Sequence, residues 1–253
     1  MTAYVEWPIG LAGRQSMSEI ASQSQTLKAV LGLRGLIVDG VLPPGSRVAE
    51  PLIVQEFGVS RTPARAALAQ VAAEGLLEKR AGSGYAVASF TESDIFQAIE
   101  IRGILEGLAA RYAAEGQASE TILKQMDKCV TALDDVVDSL LENSDQSDYV
   151  EWNDRFHSLL LEASGSSMVA TSLERIKTLP FATPNAFVKS MDLNRPAVQR
   201  VLLVAQEQHR SIVEAIRAGN GSRAQSLTLE HSFCAKRYLQ LLGRFEKKIP
   251  WVA

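Results

Sequence analysis

Cysteine occurs only twice in 253 residues, at Cys129 and Cys234, with neither the spacing of a disulfide framework nor that of a thiolate metal site. That excludes a disulfide-stapled scaffold and predicts reduced, buried thiols in a cytoplasmic protein. No apolar run approaches the roughly 20 residues that cross a bilayer, and the N-terminus has no signal-peptide pattern, so no membrane partner is expected. A strong charge excess is also missing. Up to Ala88 there are 8 Lys and Arg against 7 Asp and Glu, a balance of +1; the rest has 18 against 22, a balance of −4. Such a weakly basic start excludes tight non-specific binding to a polyanion, and two copies on one DNA would compensate. What remains is globular: 46% apolar and 22% charged residues, in a chain long enough for two cores.

The chain is organised around Leu52 to Leu77, LIVQEFGVSRTPARAALAQVAAEGLL. Leu52, Ile53, Val54 and Phe57 predict a short helix stopped at Gly58. Ser60 then stands at an N-cap position, where its hydroxyl can accept from a free backbone N–H. A second helix follows, with Ala64, Ala67, Leu68 and Val71 as its inner face. Its first turn carries Arg61, Thr62 and Arg65, with the two arginines four apart on the exposed side. Two helices with solvated arginines could be an ordinary hairpin. The next residues favour DNA, because Leu76–Arg80 and Tyr85–Ala88 predict two strands around a glycine hairpin. Helix-turn-helix plus hairpin is a winged helix, presenting Ser60, Arg61, Thr62 and Arg65 to base edges and phosphates, and Lys79 and Arg80 to phosphates.

Elsewhere the periodicity is helical. Residues 1–22 have no clear period and predict a loose arm, with the winged helix-turn-helix over 23–89. Its first helix spans Ser24 to Asp39, with Leu27, Val30, Leu31, Leu33, Leu36 and Ile37 as the apolar positions, and a rigid turn follows at Pro43-Pro44-Gly45. Thr91 caps a long helix with Asp94 three residues on. Helices are predicted over about 95–115, 119–141, 149–163, 168–178, 197–218 and 222–245, with an irregular connection from Pro180 to Pro196. Ile101 and Tyr112 are counted among the apolar positions of the first. The expected fold is mainly α, an N-terminal winged helix-turn-helix followed by an all-α bundle over 90–247.

All three histidines, His157, His209 and His231, lie on separate helices of that bundle. His157 is four residues after Asn153, so the two share a helix face. His209 stands 10 residues before Gly219 and His231 10 after Gly221. Equal distances from a turn bring two positions level across an antiparallel helix pair. Three imidazoles and an amide oxygen meeting inside a bundle predict a divalent cation, Zn²⁺ or Ni²⁺, held by Asn153, His157, His209 and His231. Histidines that merely pack, and a catalytic zinc, are the other readings. No general base or nucleophile signature accompanies the histidines, so an enzyme is not expected.

Several motifs together resemble the winged helix of GntR-type bacterial transcription regulators: Leu42-Pro43-Pro44-Gly45-Ser46, Val59-Ser60-Arg61-Thr62-Pro63, Arg65-Ala66-Ala67-Leu68, Glu74-Gly75-Leu76-Leu77 and Gly82-Ser83-Gly84. Asn153-Asp154-Arg155-Phe156-His157, His209 and His231 resemble the FCD ligand-binding domain of that superfamily (the FadR-like subfamily). The resemblance implies a homodimer on a palindromic operator, acting as a repressor or an activator. It also implies a small organic acid, a sugar acid or carboxylate, that docks on the metal and draws the bundle helices inward. Ser60, Arg61, Thr62 and Arg65 match operator-contacting positions, with Gly82 and Gly84 at the wing tip. Asn153 matches a metal position that is Asp or Asn in relatives. Arg102 matches a position that can pair with a ligand carboxylate, the alternative being a surface or interface ion pair with Glu106. Ala66 replaces the usual Glu that orients an arginine, and Pro51 stands where relatives often carry a cation. Two rival readings remain: a metal-dependent enzyme with a DNA-binding head, and a regulator taking an apolar or acyl ligand without metal.

Overall fold

A computed structural model of the chain describes residues 17–81, 84–116, 118–140, 147–185 and 196–244. The chain is mostly helical, with one small sheet. Helix α1 (Met17–Val38) begins earlier than the expected Ser24 and packs against α3. It buries Val30, Leu33 and Ile37, while Leu27 and Leu31, expected on the inner face, are exposed. Helix α2 (Glu50–Phe57) ends where Gly58 turns left-handed at φ 62° and its N–H returns to the Val54 carbonyl. Only a residue without Cβ takes that conformation without strain. Helix α3 (Arg61–Ala73) follows, burying Ala64, Ala67, Leu68 and Val71 as its periodicity requires.

Strand β2 (Leu77–Lys79) pairs antiparallel with β3 (Tyr85–Val87), Glu78 opposite Ala86. A third strand, β1 (Arg47–Val48), flanks β3 on its other side and was absent from the sequence reading. At two residues it has no period to detect. The sheet and α1–α3 share one core, which includes Val30, Ile53, Leu68 and Val87.

Helix α4 (Glu92–Glu115) starts at a full capping box: Asp94 N–H donates to Thr91 Oγ1, and Thr91 N–H donates to the Asp94 carboxylate. Helices α5 (Glu120–Leu140), α6 (Ser147–Ala163), α7 (Ser167–Lys177), α8 (Pro196–Arg217) and α9 (Gly221–Arg244) complete the bundle. A short 3₁₀ turn, Pro180–Ala182, follows α7. Phe156, Phe181, Met126 and Leu133 are among the fully buried residues of this second core.

Helix α4 packs most extensively on α9. Close approach is possible because Gly103 and Gly107 face it. A Cβ at 107 would sit 2.9 Å from the Gln225 carbonyl oxygen, and one at 103 would sit 2.2 Å from Ser232 Oγ. The outward side of α4 leaves Ile101, Ile104 and Tyr112 exposed, against the expectation that Ile101 and Tyr112 belong to the core. No helix among the described residues is long and apolar enough to cross a membrane. Both cysteines are free and buried, as their spacing implies.

Candidate metal centre and nucleic-acid interface

The helical hairpin α8–α9 turns at Gly219, and the register read from the turn holds. His209 Nε2 and His231 Nε2 lie 3.1 Å apart. His157, from α6, joins them, and one donor atom from each of the three buried rings lies within 4.8 Å of the others. The predicted convergence is therefore real geometry.

The surrounding hydrogen bonds set which ring nitrogens carry protons. Gln206 donates its amide N–H groups to the Val130 carbonyl and to Asp134, both at 2.8 Å, so its Oε1 faces His209 Nδ1 at 3.1 Å. An amide oxygen only accepts, hence Nδ1 holds the proton and Nε2 keeps its lone pair. Gln208 Oε1, 3.3 Å from His231 Nδ1, does the same for that ring. Two lone pairs facing each other at 3.1 Å repel unless a positive charge lies between them. The same logic orients Asn153. Asn185 donates to the Val150 carbonyl and to Asp154 Oδ1, so its own oxygen accepts from Asn153 Nδ2 at 3.0 Å. The Asn153 oxygen is then turned away from Asn185, buried, with no hydrogen-bond partner. Three imidazoles and one orphaned amide oxygen suit a divalent cation.

Glu106 is the member the sequence reading missed. It enters from α4, 2% exposed, with Oε1 at 3.2 Å from His157 Nδ1. Apart from that contact, its carboxylate oxygens have no hydrogen-bond partner. A carboxylate behind a metal-binding imidazole raises its basicity and fixes its ring. The only sequence sign was its spacing four residues after Arg102. Arg102 is itself 2% exposed, so it does not lie on the surface; its charge acts on Glu106, and its Nε and Nη1 make no hydrogen bond.

Electrostatics follow from this burial. Burial pushes His231 down to about 3, His157 adds to the effect, and Glu106 opposes it. His209 falls well below the ordinary value through burial, then through His231 and His157. Burial alone would push the Glu106 carboxyl up, but His157 and Arg102 bring it down to about 2. Neutral imidazoles beside an ionised carboxylate are the forms that hold a cation. The adjoining cavity measures about 20 Å³ and is lined by Arg102, Asn153, His157, His231, Cys234 and Tyr238 among others.

At the other end of the molecule Ser60, Arg61, Thr62, Arg65, Lys79 and Arg80 are all exposed. Gly84 closes the wing hairpin by accepting from Arg80 N–H, whereas Gly82 lies outside the described residues. Ser60 occupies the N-cap of α3, but its hydroxyl makes no capping bond; its backbone N–H points to Gln25 Oε1 at 3.5 Å instead. The glutamate missing at position 66 has a substitute. Glu50, at the start of α2, pairs with Arg65 and reaches Arg61 at 3.6 Å. Arg47, which the sequence reading did not single out, lines one cleft with Arg65 and Gly84. Its place depends on β1, which no local pattern announces.

Comparison with known proteins agrees with both halves. Residues 25–87 match the gntR family of bacterial regulatory proteins, and residues 97–232 match the FCD domain. The chain is 30% identical to the "Probable D-xylose utilization operon transcriptional repressor" of Paenarthrobacter nicotinovorans, covering 77% of this chain and 80% of that protein. It is 28% identical to the transcriptional regulator YdhC of Bacillus subtilis, over 79% and 84%. Among solved structures McbR/YncC of E. coli shares the fold, with a TM-score of 0.61 at 17% identity over 88% and 98% of the two chains. These relatives are named as transcription regulators or matched for fold, which removes the enzyme reading. Winged helix, wing and helical bundle together make this chain a member of the GntR family of bacterial transcription regulators, of the type that carries an FCD domain.

Proposed function

We propose that the chain is a repressor whose operator affinity responds to a small organic acid bound beside a divalent cation in the FCD domain. Asn153, His157, His209 and His231 hold the cation, Zn²⁺ or Ni²⁺, which supplies a Lewis-acidic anchor for an anionic oxygen. The observation that carries this reading is the meeting of three buried imidazoles, His209 Nε2 3.1 Å from His231 Nε2, beside the orphaned Asn153 oxygen. Arg102, buried on the cavity wall with Nε and Nη1 free of hydrogen bonds, pairs with the acid's carboxylate. Ser60, Arg61, Thr62 and Arg65 read the operator, with Lys79, Arg80, Gly82 and Gly84 on the backbone. A homodimer on a palindrome supplies the affinity that a weakly basic head lacks, and exposed Ile101, Ile104 and Tyr112 on α4 are apolar surface that a second copy would cover.

The cavity size revises how the switch works. Space for one water or ion does not admit an acid, so binding has to push a wall outward rather than draw helices in. The one lining residue outside any helix is Pro184, and its neighbour Asn185 accepts from Asn153. The same short segment begins at Thr178, whose hydroxyl proton is shared between the Arg175 carbonyl (2.8 Å) and the Glu74 carbonyl (3.0 Å) behind α3, and at Leu179, which packs into both cores. Moving one end of this segment moves the other, which biases the placement of the DNA-binding head. Operator binding measured with metal-loaded and chelator-stripped protein, each with and without a panel of organic acids, tests the reading. A shift of fivefold or more is expected with at least one acid, on the loaded protein only. Unchanged affinity in every arm contradicts it.

A further inference from the structure

The proposed effector site uses Arg102 and the cation, yet the same cavity contains one more group without a partner. Tyr238 lies on α9 seven residues after His231, with Cys234 and Ala235 on the face between them, and all four line the cavity. Its ring is buried among apolar neighbours, and its hydroxyl is buried with no hydrogen-bond partner. Burial, with Tyr149 and Cys234 nearby, holds the phenol well above its ordinary value, so the proton stays on it. Buried hydroxyls in folded proteins are nearly always paired, and a phenol left unpaired in a core position would be outcompeted by phenylalanine. Here the unpaired hydroxyl borders the cavity of the proposed effector site, which Arg102 also lines with its Nε and Nη1 free of hydrogen bonds.

We propose that Tyr238 is an effector-binding residue, its hydroxyl paired with an uncharged oxygen of the ligand while Arg102 holds the carboxylate. The ligand is then a carboxylate carrying a hydroxyl or keto oxygen beside the acid group. This inference rests on the organic-acid reading above and adds to it the residue that separates an oxygenated acid from its plain counterpart. The phenol can donate to either oxygen and can also accept from a hydroxyl, so both forms satisfy it.

The test is calorimetric titration of the zinc-loaded full-length protein with lactate, pyruvate and propionate, repeated on Tyr238→Phe. In the natural protein lactate or pyruvate binds at least tenfold tighter than propionate, since a site built to bond an oxygen rejects the analogue lacking it. Tyr238→Phe weakens the oxygenated acids roughly three- to tenfold and leaves propionate unchanged. Chelation of the oxygenated acids by the cation alone would give the same preference in both proteins, and a preference that survives intact in Tyr238→Phe overturns the role of Tyr238. The melting temperature of ligand-free Tyr238→Phe, with its zinc content checked, supplies the second readout. It should equal or exceed that of the natural protein, because the lost hydroxyl had no partner. A clear fall, or failure to fold, makes the hydroxyl structural and also overturns the proposal. If none of the three acids binds the natural protein while zinc does, the organic-acid reading fails for this class and the inference falls with it.

Discussion

At the scale of single residues, the centre is built by protons placed on particular nitrogens. Gln206 and Gln208 hold the Nδ1 protons of His209 and His231, leaving both Nε2 atoms as donors. The same burial gives a pH signature. His231 is held at about 3 and His209 well below its ordinary value, whereas in the unfolded chain both titrate near 6.5. Between those values the unfolded state binds more protons, so stability is complete above pH ~6.5 and falls as pH drops toward 3. The slope is about 1.4 kcal/mol per pH unit for each imidazole. Glu106, also depressed, adds a loss of the same sign only below its ordinary value of 4.5, so the fall from pH 7 to pH 5 belongs to the histidines. Metal-stripped protein should melt several degrees lower at pH 5 than at pH 7, as followed by circular dichroism. A melting temperature flat over that interval contradicts neutral, buried rings.

Among the elements, α4 decides whether the site exists. Its glycines let α9 approach, and that approach sets Arg102 and Glu106 against the histidines. Gly107→Ala puts a Cβ 2.9 Å from the Gln225 carbonyl, a backbone atom that cannot rotate away. The expected destabilisation is about 1–3 kcal/mol in chemical denaturation, with weaker zinc binding, as the two helices part. Gly35→Ala, in α1 with nothing within 4 Å, is the control and should be neutral or stabilising. α4 is also where sequence reading stops working. Periodicity assumes one apolar face turned inward, but here Arg102 and Glu106 point in while Ile101 and Ile104 point out. A helix that carries both a polar site and an uncovered apolar stripe violates that assumption. The histidine register, by contrast, was legible, because two helices leaving a short turn advance at the same rise per residue. Asn185, Gln206 and Gln208 were not, since their roles depend on which atoms three separate segments bring within 3 Å. Ser60 falls between these cases: the cap position was readable, but its missing hydroxyl bond was not.

For the whole molecule the question is how a buried centre reaches a DNA-binding head. The segment from Thr178 to Asn185 touches Glu74 at one end and Asn153 at the other. Thr178→Val removes the hydroxyl bond to the Glu74 carbonyl and keeps the side chain's shape. Operator affinity without effector should change little, while the effector-induced shift should shrink severalfold in a fluorescence-anisotropy titration. An undiminished shift would mean that coupling runs elsewhere, through α4 for instance. Every later step still depends on the cation. Calorimetric titration of metal-stripped protein with Zn²⁺, against His209→Ala, tests it most directly. One ion per chain in the natural protein, and binding lost or at least a hundredfold weaker in His209→Ala, is the predicted result. No uptake in the natural protein, or equal uptake in both, would contradict the account.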